Sequence, residues 1–215
     1  MTVHEPTYRR AVRGEPTWDI AQLFPAQGEW SVGDYLGLNT NRRVEFDDGV
    51  IEFLPTPTEF HEFLLQFLYR ALCAFVEPRR LGMPMFAGIR VRIAGNKFRQ
   101  PDIAFMLAAN SHRRHNRYWL GADLVMEIVS EDDPSRDFVK KRREYAKAGI
   151  CEYWIVDPKR REITVLTLQG DQYIQHGVFG LGRKATSRSL KGFAVSVTRL
   201  FKAAEAARNS GSADD

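Results

Sequence analysis

The segment Leu124-Val-Met-Glu-Ile-Val129 is apolar at every position but one. Side chains of a strand alternate between its two faces, so a run that is apolar on both marks a strand covered on both sides. That restricts the chain to folds in which a sheet lies between other layers. The exception, Glu127, is a carboxylate inside such a strand. Buried there it is unfavourable unless it is paired or takes up a proton. Three readings stand: Glu127 pairs with a neighbouring arginine, lies at the strand end, or binds a metal ion.

The rest of the pattern fits around that strand. Glu152 to Val156 reads as a second buried strand, closed by Asp157-Pro158. Asp102 to Met106 is a short apolar strand introduced by Gln100-Pro101, and Met85 to Ile93 alternates in its second half. Arg43 to Leu54 has the form of a β-hairpin turning at Asp48-Gly49 and ended by Pro55 and Pro57. A second hairpin pairs Ile163–Leu168 with Gln172–Gln175. Ser31 to Asn39 predicts a short helix capped by Ser31. Glu59 to Glu77 is the clearest helix, with Phe60, Phe63, Leu64, Phe67, Leu68, Ala71, Leu72 and Phe75 on one stripe. Pro134 to Ala148 predicts another, stopped by Gly149. Phe193 to Phe201 reads as a last strand with a short helical end.

The expected class is therefore α/β or α+β, a mixed central sheet flanked by helices, with a hairpin near the N-terminus. Residues 1–30 form an arm, 31–203 one domain, and 204–215 a disordered tail. The 215 residues are 44% hydrophobic, which excludes global disorder. Lys and Arg total 31 against 27 Asp and Glu, a net charge of +4 that permits a nucleic-acid partner without requiring one. No run approaches the roughly 18 apolar residues of a membrane span, and Met1 to Arg10 lacks the apolar core of a secretory signal. Cys73 and Cys151 are too few for a disulfide framework or a four-thiolate zinc site. The expected setting is reducing and cytoplasmic, with no membrane partner.

Several residues carry chemistry if they meet. Asp102 follows a proline that marks a strand start, where it serves as a cap or turn residue, or converges with Glu127 on one divalent cation. In the run Lys140-Lys-Arg-Arg143, most of which reads as a solvated basic face, helical phase places Lys141 within roughly 60° of Phe138 and about 40° of Tyr145. Lys141 either snorkels along that apolar seam or stands beside the two carboxylates. Glu45 lies in the hairpin and says nothing alone, His61 flanks the stripe of the long helix, and Tyr145 and Trp154 read as core. From Arg79 to Arg99 the chain carries Arg79, Arg80, Arg90, Arg92, Lys97 and Arg99 without an acid. Arg113, Arg114 and Arg117 follow in a loop with Tyr118 and Trp119. Such segments hold phosphates by charge and bases by stacking, or are ordinary surface.

Taken in order, Val44-Glu-Phe-Asp-Asp-Gly49, His61, Pro101-Asp-Ile-Ala104, Val125-Met-Glu-Ile-Val-Ser130 and the long segment Asp137 to Pro158 resemble the Uma-two type of restriction endonuclease. This is a bacterial branch of the PD-(D/E)XK nuclease superfamily, and the resemblance runs from about Ser31 to Phe201. It implies a restriction-endonuclease-like core and an enzyme that hydrolyses DNA phosphodiester bonds with Mg²⁺ or Mn²⁺. By position Asp102 and Glu127 become the metal ligands, Glu45 the upstream acid, and Lys141 the lysine of the site. His61 supports a ligand or approaches a phosphate, and Arg90, Arg92, Arg113 and Arg114 belong to the DNA-binding surface. One departure is Val129, which stands two residues after Glu127 where the superfamily usually has lysine. Double-strand cutting needs two sites, so a homodimer is expected. The alternative is a nuclease fold retained for DNA or protein binding with the chemistry lost.

Overall fold

The computed structural model describes residues 23–40, 42–86 and 88–211, so most of the expected N-terminal arm lies outside the described residues. Among the described residues thirteen strands form three sheets. The six-stranded sheet is the centre, in the order β11 (Gln172–Phe179), β10 (Glu162–Gln169), β9 (Glu152–Asp157), β8 (Leu124–Ile128), β6 (Ile103–Leu107), β3 (Gly82–Phe86). Strands β8 and β9 run parallel and the other neighbours antiparallel, as a mixed sheet requires. Both faces of β8 are buried. Leu124, Met126 and Ile128 pack with α2 (Glu59–Val76) and α4 (Val197–Gly211), while Val125 and Val129 pack with Tyr145, Tyr153 and Ile155.

A five-stranded sheet lies beside it in the order β2 (Val50–Phe53), β1 (Val44–Asp47), β5 (Lys97–Arg99), β4 (Val91–Ala94), β7 (Trp119–Leu120). The hairpin of β1 and β2 turns through Asp48 at φ 47° and Gly49 at φ 88°, the left-handed pair that a two-residue hairpin favours. A Cβ on Gly49 would collide with the backbone of Gly28, so only glycine fits there. Helix α1 (Val32–Gly37) is held by a capping box between Ser31 and Asp34 and packs Tyr35 on Phe46 and Phe98. Trp30, inside the segment expected as an arm, is buried in the same cluster.

Alternation splits this smaller sheet into an apolar face and a charged one. Val44, Phe46 and Phe98 face α1. Glu45, Asp47, Lys97 and Arg99 face the other way, toward the helical segment between β8 and β9. That segment starts as a π-helix, Arg136–Lys141, and continues as α3 (Arg142–Lys147). Arg99 is only 1% exposed and is held by Glu144 at 2.8 Å through two nitrogens, by Asp47 at 3.0 Å, and by the carbonyls of Phe46 and Phe98. Arg99, expected on a basic surface, is thus the buried tie between this sheet and α3.

Three other expectations change. Met85 to Ile93 is not one strand: Gly88, at φ 99°, turns the chain so that β3 and β4 enter different sheets. Phe193 to Phe201 gives only a short strand, β13 (Ala194–Ser196), paired with β12 (Lys184–Thr186), before α4 begins. Helix α4 continues through Gly211, into residues expected as a tail, because Leu200, Phe201 and Ala204 bury one stripe against α2. No described helix is long and apolar enough to cross a membrane.

Glu144→Gln should therefore cost about 3 kcal/mol at pH 7, because it leaves the buried Arg99 charge short of its main partner. Burial pushes the Glu144 carboxyl up, but Arg99 and Lys97 outweigh it and hold it below its ordinary 4.5. A depressed native pKa stabilises the fold above the unfolded value and is lost as pH falls through the native one. The gap between wild type and variant in urea unfolding should accordingly narrow below about pH 4.

Candidate active site

Antiparallel pairing of β6 with β8 sets Ile103 opposite Met126, so the next step of the register brings Asp102 opposite Glu127. Directly opposed residues share a face. Asp102 and Glu127 follow the parity of Ala104 and Val125, the face turned toward Tyr145. Each carboxylate is tied to the opposing backbone: Asp102 Oδ2 accepts the N–H of Ile128, the residue after Glu127, at 2.8 Å, and Glu127 Oε2 accepts the Asp102 N–H at 3.3 Å. The two acids, far apart in sequence, are neighbours across one strand pair.

Lys141 reaches them from the end of the π-helix. Its Nζ lies 3.0 Å from Glu127 Oε1, 3.2 Å from Asp137 Oδ1 and 3.9 Å from Glu45 Oε1. Glu45 reaches the group from β1, held by the Gln100 N–H at 3.2 Å and by Arg99 at 3.5 Å. Tyr145 packs in the core as its helical phase predicts, and it also donates its hydroxyl to Glu127 Oε1 at 2.6 Å. On the other side His61, in the first turn of α2, has Nε2 at 3.2 Å from Asp102 Oδ2. Arg43, just before β1, puts Nη1 at 2.8 Å from Asp102 Oδ1 and donates to the Gln100 carbonyl. The sequence reading missed Arg43 and Asp137. Asp137 had a visible signal, since it lies four residues before Lys141 on one helix. Arg43 had none.

These side chains open on a cleft of about 230 Å³, lined by Asp102, Glu127, Asp137, Lys141, His61 and Arg43, with Arg136 and an acidic rim at Glu131 and Asp132. Arg136 is tied across the rim to Asp132 at 3.2 Å and Glu52 at 3.6 Å. Arg90, Arg92, Arg113 and Arg114 do not line this cleft. Arg90 donates to the Leu36 and Leu38 carbonyls and lies over the Tyr35 ring. Arg92 donates to the Gly95 carbonyl, Arg113 to that of Leu120, and Arg114 covers Trp119.

Burial and charge pull the two central acids apart. Burial raises the Glu127 carboxyl, to about 7, and Asp102 and Asp137 nearby add to the shift against the opposing pull of Lys141 and Tyr145. Burial acts on Asp102 in the same sense, but His61, Arg43 and Lys141 outweigh it and hold the group below the usual carboxylate range. Lys141, although buried, is held above its ordinary range by Glu127, Glu45, Asp137 and Asp102, and so stays charged. His61 is raised despite burial because it bonds Asp102.

Five carboxylates line the cleft against three fixed cations and one imidazole. That excess suits one divalent cation, and oxygen donors on adjacent strands suit a hard ion such as Mg²⁺. Among the described residues no three Asp, Glu, His or Cys side chains are gathered into a ready-made cage. A Mg²⁺ site commonly takes only one or two carboxylates and completes its shell with water and substrate phosphate. The residues present fit such an ion, with Asp102 and Glu127 as the facing donors.

Residues 32–198 match the family model Uma2, described as "Putative restriction endonuclease". Among solved structures, the chain is similar to a "putative nuclease belonging to DUF820" from Anabaena variabilis. The TM-score is 0.70 at 21% identity, over 81% of this chain and 99% of that one. No curated protein matches.

Lys141→Met should destabilise the fold by about 3–5 kcal/mol at neutral pH, because it strands Glu127 and Asp137 without their shared cation. Adding Glu127→Gln to that variant should recover much of the loss in urea unfolding. Additive losses would show that the two side chains are not energetically coupled.

Proposed function

This chain belongs to the Uma2 family, described as putative restriction endonucleases, and on that premise we propose that it is a divalent-metal-dependent endonuclease acting on DNA. The observation that carries the reading is the convergence of Asp102, Glu127 and Lys141 at one solvent-reachable cleft. A binding module gains nothing from two adjacent buried carboxylates, whereas phosphodiester hydrolysis needs charge neutralised at a polyanion.

Asp102 and Glu127 would hold Mg²⁺ or Mn²⁺, which when bound supplies Lewis-acid neutralisation of the phosphate and lowers the pKa of a coordinated water. Lys141 acts as a fixed cation. Held protonated by its carboxylates, it does not serve as the proton acceptor; it orients the attacking water and stabilises the charge of the pentavalent transition state. Asp137 and Glu45 keep the Lys141 ammonium in place from opposite sides. His61 orients Asp102 from α2 and stands at the wall of the cleft, where it reaches a substrate phosphate. Arg136, at the rim of the cleft, is the lining arginine closest in role to the expected DNA-binding set.

Supercoiled plasmid incubated with Mg²⁺ or Mn²⁺ should be nicked by the wild type. Asp102→Asn and Lys141→Met should each lower the rate by about 100-fold or more, the scale of removing an electrostatic stabiliser, while circular dichroism reports a folded chain. Full-rate cleavage by either folded variant rejects this site. A folded wild type that binds duplex DNA without nicking it at any metal concentration leaves the binding-module reading.

A further inference from the structure

The two oxygens of Asp102 are not equivalent. Oδ2 accepts the Ile128 N–H at 2.8 Å and faces His61 Nε2 at 3.2 Å, the full complement of one carboxylate oxygen. Oδ1 has Arg43 Nη1 as its partner, at 2.8 Å. The Asp102 oxygen with a lone pair left for a cation is therefore the one on which a guanidinium sits. Arg43 has one other hydrogen-bonded partner. Its Nη2 donates to the Gln100 carbonyl, and its Nε is buried without a hydrogen-bond partner. Its side chain is 20% exposed and lines the cleft. Moving it forfeits its ion pair with Asp102 and its bond to the Gln100 carbonyl, whereas moving Lys141 would break ion pairs with both Glu127 and Asp137. Two cations on one carboxylate repel each other through a short, partly dry path.

We propose that Arg43 is a resident counter-ion of Asp102, displaced from Oδ1 when a divalent cation enters the cleft. The inference rests on the metal-dependent reading above. It makes Arg43 a positioning residue: it keeps Asp102 ionised and in place while no metal is bound, and it sets a threshold below which the ion does not enter. The exchange is a substitution of one cation for another at a single oxygen, with no proton or bond transferred.

Calorimetric titration of the full chain with Mn²⁺ separates the possibilities. Arg43→Gln keeps a donor for the Gln100 carbonyl and removes the charge, so it should bind Mn²⁺ about tenfold more tightly than the wild type. Arg43→Lys keeps the charge and should stay within about threefold of it. A merely structural arginine would give equal or weaker binding on removal, and that result in a folded Arg43→Gln overturns the proposal while the metal reading stands. Binding by Arg43→Gln alone supports the proposal. Binding by neither protein overturns both. A wild-type crystal soaked in Mn²⁺ gives a second readout independent of any variant's folding. Arg43 Nη1 should lie beyond hydrogen-bond distance of Asp102 Oδ1, and an intact pair beside a bound ion overturns the displacement.

Discussion

The ammonium of Lys141 is the interaction on which the rest of the site depends. It touches a carboxylate of the central sheet, one from its own helix and one from the smaller sheet. Three elements are thereby joined through one buried charge beside the apolar cluster they share. Desolvating so many ions is unfavourable, and a hydrophobic layer of equal volume would commonly be at least as stable. What the ionic layer provides is fixed placement of charge. Glu127 cannot turn away without giving up its ion pair with Lys141 and leaving the Tyr145 hydroxyl unpaired, and such over-determined placement is what a site for developing charge requires.

The same layer explains the odd helix between β8 and β9. That helix includes a six-residue π-helical stretch, a form seen mostly as single-turn bulges inside α-helices and frequent at functional sites. Positions four apart on a helix lie on one face. Asp137 and Lys141 therefore project together into the cleft while Arg136 and Lys140 remain on its rim beside Glu52. Below them α3 resumes ordinary spacing and presents Tyr145 to Glu127 and Glu144 to Arg99. One short segment thus serves two sheets.

Which parts of this were legible in the sequence follows from the range of the forces involved. Glu127 stood out because alternation makes a both-faced apolar strand visible locally, and Lys141 because helical phase is also local. Their meeting with Asp102 was not local. Antiparallel register brings positions 102 and 127 together, and the resemblance to a family, rather than periodicity, suggested it. The arginines show the limit most clearly. Arg90, Arg92, Arg99 and Arg113 read as one basic surface, yet Arg99 is buried among acids, and Arg90, Arg92 and Arg113 each donate to carbonyls of the protein itself. A guanidinium has five donors, and sequence does not say whether phosphate or the protein's own backbone will accept from them. The Met85–Ile93 pattern failed for a related reason, since a left-handed glycine moves the chain to a different sheet without disturbing alternation on either side.

The distribution of charge also bears on how a polyanion enters. The rim carries Glu131 and Asp132, Arg136 is already engaged there, and the walls carry more carboxylates than cations. A phosphodiester approaching such a cleft meets net repulsion over distances shorter than the Debye length, where salt does not screen it. The net charge of +4 permits attraction of a polyanion to the chain as a whole but does not reverse the local field. On the proposed reading Asp102 and Glu127 would hold a dication that would supply the positive charge the cleft lacks, so that these walls would accept a phosphate they otherwise repel. Binding of substrate and assembly of the active site are then one event, and the acidic rim that looks unfavourable for a nuclease becomes the feature that makes entry conditional on the metal.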